Sequence, residues 1–153
     1  MYIDRNTIGG HNLLFQDYFA DSPTYGPRVF QRRFRMRRDL FIRIKDAIEA
    51  NDSYFVQRRN AAGKLGLSAL QKVTAAFQML TYGITGDLTD EYIRIGETTA
   101  IKSMKRFVKA IIHIFGSEYL RSPNIDDIAR LLAKAEQRGT PGMLGSIDYM
   151  YWE

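Results

Sequence analysis

The chain has 153 residues, no cysteine, and 22 Lys and Arg against 17 Asp and Glu, a formal charge of +5. Its length suits one domain with its own core, and a 45% hydrophobic share with nine Phe and nine Tyr places it among folding rather than disordered sequences. Disulfides, thiolate metal sites and cysteine nucleophiles are excluded. No apolar run approaches the roughly 20 residues of a membrane span and Met1-Tyr2-Ile3-Asp4-Arg5 lacks a signal peptide's apolar core, so a soluble intracellular protein without a membrane partner is expected.

In chain order, Leu13, Leu14, Phe15, Tyr18 and Phe19 predict a short helix over 12–20, stopped by Asp21-Ser22-Pro23. Pro27 suits a first helical turn, and Val29, Phe30 and Phe34 recur at helical spacing among Arg28, Arg32, Arg33 and Arg35, predicting a very basic second helix. Leu40, Phe41, Ile44, Ala47 and Ile48 predict a third helix ending near Asn51. Residues 52–66 mix Tyr54, Phe55 and Val56 with Arg58 and Arg59 without a sustained period and read as a connector. Ser68 offers an N-cap to a largely buried fourth helix carrying Val73, Ala76, Phe77 and Leu80 inward until Gly83.

From Gly86 to Thr99 the pattern is a short helix, a glycine-marked turn and a new cap, which with the next helix suggests a helix-turn-helix-like unit over about 87–115. The second helix of that unit carries Ile101, Met104, Phe107, Val108, Ile111, Ile112 and Phe115 inward, leaving Lys102, Lys105, Arg106 and Lys109 outward. Asn124 or Asp126 can cap a last helix through Ile128, Leu131, Leu132 and Ala135, ending before Gly139-Thr140-Pro141-Gly142. The following apolar, aromatic stretch, Met143 to Trp152, predicts a strand. A lone strand cannot pair its own edges, so its sheet is expected to be missing from a truncated chain.

Two basic sets are candidate DNA contacts. A recognition helix enters a major groove while nearby cations hold phosphates, a part open to Lys102, Lys105, Arg106 and Lys109. Arg28, Arg32, Arg33 and Arg35, with Arg37 and Arg38, form the densest positive run, and arginine's planar fork matches phosphate. The alternative for each set is a solvated helix face and, for the arginine run, also pairing with Asp and Glu, although an anion-facing surface is slightly favoured for that run. Asp148 at the end of the strand is the sharpest acid, yet an aspartate that caps a strand or starts a turn accounts for it without chemistry. His11 and His113 are widely separated and read as structural, and Asp87, Asp90 and Glu91 suit a helix start.

Four segments, 27–36 (PRVFQRRFRM), 90–100 (DEYIRIGETTA), 115–121 (FGSEYLR) and 142–148 (GMLGSID), resemble the plant branch of the PIF/Harbinger transposases and their derived nucleases. The resemblance implies a mainly α fold: a helical bundle over 1–138 with a helix-turn-helix-like unit, followed over 139–153 by the first strand of a truncated ribonuclease H-like (α/β) DDE nuclease domain. It implies metal-dependent cleavage of DNA phosphodiesters with Mg²⁺ or Mn²⁺, Asp148 being the first of three catalytic, metal-binding acids. It also implies a nuclear protein that works with DNA and a separate Myb-like accessory protein. The chain departs from the family by carrying Tyr149-Met150-Tyr151-Trp152 where members usually read Cys-Met-His-Trp, and by lacking the second and third acids. A fragment that cannot cleave and holds no metal stably is therefore expected, with DNA binding retained. A DNA-binding or protein-interaction module without catalytic role, and a transposon remnant without function, remain open alternatives.

Overall fold

A computed structural model describes residues 5–147, and these divide between two compact units, Met1–Gly116 and Ser117–Glu153. Seven helices occur among the described residues: α1 (Thr7–Tyr18), α2 (Pro27–Phe34), α3 (Arg38–Asn51), α4 (Ala69–Tyr82), α5 (Leu88–Ile93), α6 (Glu97–Tyr119) and α7 (Ile125–Gln137). The segment expected to be a strand takes no regular structure over 143–147 and otherwise lies outside the described residues, as does Asp148. Among the described residues the only β-type pairing is an isolated bridge between Arg59 and Leu65.

The first unit is built around phenylalanine. Each amphipathic helix turns its rings inward because burying an aromatic side chain removes the largest apolar areas from water. Phe30 stacks on Phe34 of the same helix at 4.3 Å between centroids, Phe34 meets Phe41 of α3 at 5.1 Å, Phe41 meets Phe77 of α4 at 5.0 Å, and Phe77 meets Phe107 of α6 at 4.9 Å. This chain of rings joins α2, α3, α4 and α6, with Leu14 and Tyr18 of α1 in the same core. A smaller cluster of Ala75, Ile93, Ile95 and Ala100 packs α4 against α5 and the start of α6.

Helix α4 lies at the centre, touching α1, α2, α3 and α5, and is buried from Ala69 through Phe77. Ser68 caps it as expected, accepting from the Gln71 N–H while the Gln71 side chain accepts from the Ser68 N–H. Gln71, fully buried, also donates from Nε2 to the carbonyls of Thr7 and Ile93, each at 3.0 Å, and so ties α1 and α5 to α4. His11 bonds Ser68 Oγ through Nδ1 at 2.9 Å, a contact within this same joint, whereas His113 is exposed.

Three details differ from the periodic reading. Helix α1 starts at Thr7 rather than near Asn12, because the Asn6 side chain accepts from the Gly9 N–H and Gly10 is needed where α1 meets α5. A Cβ on Gly10 would stand 3.0 Å from the Ile93 carbonyl oxygen and 2.8 Å from Arg94 Cγ. The turn between α5 and α6 places Arg94, not Gly96, in the left-handed region at φ 60°. Leu80, Val108 and Ile112, expected inward, are exposed; small buried residues, Ser103 and Ala110, lie inward on α6 instead.

The second unit contains α7, held by a local cap. Asn124 Oδ1 accepts from the Asp127 N–H at 2.8 Å, Asp127 accepts from the Asn124 N–H at 3.0 Å, and Arg121 donates to Asp127 at 2.6 Å. Those bonds, the one from Arg121 foremost, hold the Asp127 carboxyl below the usual carboxylate range. Gly139, at φ 77°, ends the helix with its N–H on the Glu136 carbonyl. Ala135 is its buried residue, while Ile125 remains 85% exposed.

Candidate nucleic-acid interface

The two basic sets meet different fates in the first unit. On α2, Arg28, Arg32 and Arg35 are exposed, and Arg35 sits at φ 58° as the C-cap. Arg33 turns inward: it donates to the Tyr18 hydroxyl and stacks over the Tyr25 ring at 4.3 Å. Burial dominates Tyr18 and raises its pKa, although the Arg33 bond pulls the other way. Arg38 donates to the Tyr18 and Ala20 carbonyls at the end of α1, where a cation suits the helix dipole. Part of the arginine run is thus structural, and Arg28, Arg32 and Arg35 are left facing water.

On α6, Lys102, Lys105, Arg106 and Lys109 are all exposed, as amphipathic spacing requires. Lys102 and Arg106, four residues apart and so on one side of the helix, both reach Tyr54 of the connector. Their charged groups lie 5.4 Å and 4.9 Å from its ring centroid, and Lys72 Nζ of α4 lies at 4.9 Å. Any two of these three cations therefore stand within roughly 10 Å, about one screening length at 0.1 M salt, and repel one another. The quadrupole of one ring offsets part of that repulsion. Lys105 and Lys109 form no ion pair with any described residue.

Tyr54 is held for this role from two directions. Its hydroxyl bonds Ser103 Oγ of α6 at 3.0 Å, and its N–H donates to Asp52 Oδ1 at 2.9 Å. Lys72 is 9% exposed and donates from Nζ to the Tyr54 carbonyl at 2.8 Å. Burial pushes its ammonium pKa down; Glu49 and Asp52 act against that shift electrostatically, and Arg58 adds to it. Asp52 is the one carboxylate bonded into the cluster. It receives Arg106 through two bonds, Nε to Oδ2 and Nη2 to Oδ1, each 2.8 Å, which hold its carboxyl below the usual range.

Beside Tyr54 opens a notch of about 410 Å³ lined by Ser53, Val56, Arg58, Lys72 and Arg106 among others. A larger cleft of about 920 Å³ lies against α1 and α5, but two of its cations are internally engaged, Arg5 with Asp90 at 2.7 Å and Arg33 with Tyr18. The lining of the notch includes Arg58, Lys72 and Arg106 and no carboxylate, whereas Asp17 and Glu91 line the cleft. Lys102 and Arg106 were visible in the sequence as members of a basic face. Helical spacing does not mark Tyr54, Arg58 and Lys72: Lys72 sits inside a buried helix, and the signal for the other two is only the interleaving of aromatic and arginine residues over 54–59.

Among the described residues no group of three or more His, Asp or Glu comes together as a metal site. Asp148, the metal-binding acid that the resemblance implies, lies outside the described residues. No described helix is long and apolar enough to cross a membrane.

Residues 10–49, which span most of α1 through most of α3, match a family described as "Domain of unknown function (DUF8418)". No curated protein and no solved structure matches the chain. Residues 117–153, the same span as the second unit, match the family described as "Plant transposon protein", so the chain is transposon-related.

Proposed function

We propose that this chain is the DNA-engaging helical region of a Harbinger-type transposase or transposase-derived nuclease, with α5 and α6 used as a helix-turn-helix-like unit. The observation that carries the reading is the gathering of Lys72, Lys102 and Arg106 on one tyrosine, with Arg58 alongside and a single carboxylate bonded among them. Such a cluster is costly to assemble unless an anion uses it, because each cation raises the energy of the next. A polyanion with evenly spaced phosphates fits, and Lys105 and Lys109 extend the row along α6. The match to a plant transposon protein family favours DNA as that polyanion.

On this reading the activity is metal-dependent phosphodiester cleavage with Mg²⁺ or Mn²⁺, for which Asp148 is the proposed first acid. Two-metal chemistry needs several carboxylates around the scissile phosphate. This chain by itself is accordingly proposed to bind DNA without cutting it. Nuclear residence and a Myb-like partner follow from the same resemblance, and the uncovered apolar side chains of α7, Ile125, Ile128 and Leu131, favour a protein contact for the second unit.

Titration of a labelled DNA duplex across a range of KCl concentrations tests the reading. Affinity should fall steeply with salt, and the double variant Lys102→Ala with Arg106→Ala should flatten the log–log slope by roughly 1.8, two phosphate contacts' worth. Binding that is absent, or indifferent to salt, refutes it.

A further inference from the structure

The Arg106–Asp52 pair has an arrangement that a surface ion pair does not need. Arg106 meets both carboxylate oxygens with the parallel geometry that guanidinium also uses on phosphate. Its side chain is 46% exposed while that of Asp52 is 17% exposed, so the arginine is free to leave and the aspartate is not. Asp52 is anchored by the backbone on either side: its own N–H donates to the Ile48 carbonyl, and its Oδ1 accepts from the Tyr54 N–H. It would not be stranded by the loss of Arg106, because that Tyr54 bond remains and Lys72 acts on it electrostatically.

The rest of the notch is already set for an anion. Lys72 uses one of its three ammonium donors on the Tyr54 carbonyl, leaving others for a ligand. Arg58 lines the same notch and is exposed. The cations around the notch outnumber the carboxylate bonded into it, and that carboxylate occupies the fork that a phosphate would take.

We propose that the notch beside Tyr54 binds a DNA backbone phosphate and that Asp52 is its internal competitor: on binding, Arg106 exchanges the Asp52 carboxylate for the phosphate, joined by Arg58 and Lys72. This rests on the DNA-binding reading above and adds to it a particular site and a brake. Asp52 then costs affinity rather than contributing it, the opposite of what a purely structural ion pair predicts. No covalent bond changes; two acceptors trade one donor.

Asp52→Asn isolates the claim, since asparagine keeps the oxygen that receives the Tyr54 N–H while removing the charge and one acceptor. In the duplex titration this variant should bind on the order of tenfold more tightly at about 0.1 M salt, with the log–log slope unchanged, because Arg106 meets the same phosphate in both forms. Arg58→Gln should bind more weakly, with a slope shallower by about 0.9. Should wild-type protein bind DNA while Asp52→Asn, with unchanged circular dichroism, binds no tighter, the competitor role is overturned and the DNA reading stands. If Asp52→Asn fails to fold, Arg58→Gln decides, and an unchanged slope overturns the site. If no form binds DNA, the DNA reading falls. Pyrophosphate is then titrated while the Arg106 Nε–Hε resonance is followed: saturable shifts retain a phosphate site for another ligand, and their absence removes it.

Discussion

The two units hold their helices in different ways. In the first, α2 has no side-chain N-cap bond, yet Phe30 and Phe34 are each 2% exposed within a run of rings that reaches α6. In the second, α7 has a reciprocal cap and an arginine on its Asp127, yet Ile125 and Leu131 remain in water and Ala135 alone of its residues is buried. The first is stabilised by long-range burial and the second by bonds within a few residues of one another. Burying a large apolar side chain contributes roughly 1.5–3 kcal/mol, whereas one helix cap contributes about 1. The first unit should therefore unfold cooperatively, while α7 should open at much lower cost.

The largest expected effect is at the ring chain. Phe41→Ala, at a fully buried position, should lower the stability of the first unit by roughly 3–5 kcal/mol in urea unfolding followed by circular dichroism. Hydrogen exchange in α7 should hardly change; a parallel loss of protection there would mean that the two regions share one transition. Next comes the polar joint. Gln71→Leu leaves the Thr7 and Ile93 carbonyls without their donor in a closed environment and should cost about 2–3 kcal/mol, read as a lower unfolding midpoint at unchanged slope. A neutral outcome would show that water reaches the joint. The smallest effect belongs to the second unit: Asn124→Ala should remove about 1 kcal/mol from α7 alone. Faster amide exchange over 125–137, with the main melting transition unmoved, is the expected signature. A shift of the main transition would erase the distinction.

How much was visible beforehand follows the same division. The elements whose order comes from local rules were legible: Pro27 opens α2, Ser68 caps α4, Asn124 caps α7, and Gly83 and Gly139 end α4 and α7 in the left-handed region. The start of α1 was not, since Gly9-Gly10 argues against a helix by propensity; Gly9 sits under the Asn6 cap and Gly10 against the end of α5. Of the candidate site, the basic face of α6 was legible as charges opposite an apolar stripe. The contributions of Tyr54, Arg58 and Lys72 were not, and neither was the commitment of Arg33 to Tyr18 and Tyr25.

By itself the sequence determined the helical composition, most of the helix ends and the outward basic face of α6, because spacing along one helix and the chemistry of its caps involve residues only a few positions apart. Only the tertiary structure decided which charges meet. Arg106 and Asp52 are 54 positions apart, and Gln71 and Thr7 are 64 apart. Periodicity reports a single inward face, but α4 is enclosed by several neighbours, so even its polar residues must find partners on other helices. Those pairings depend on how the helices pack, which no local pattern encodes.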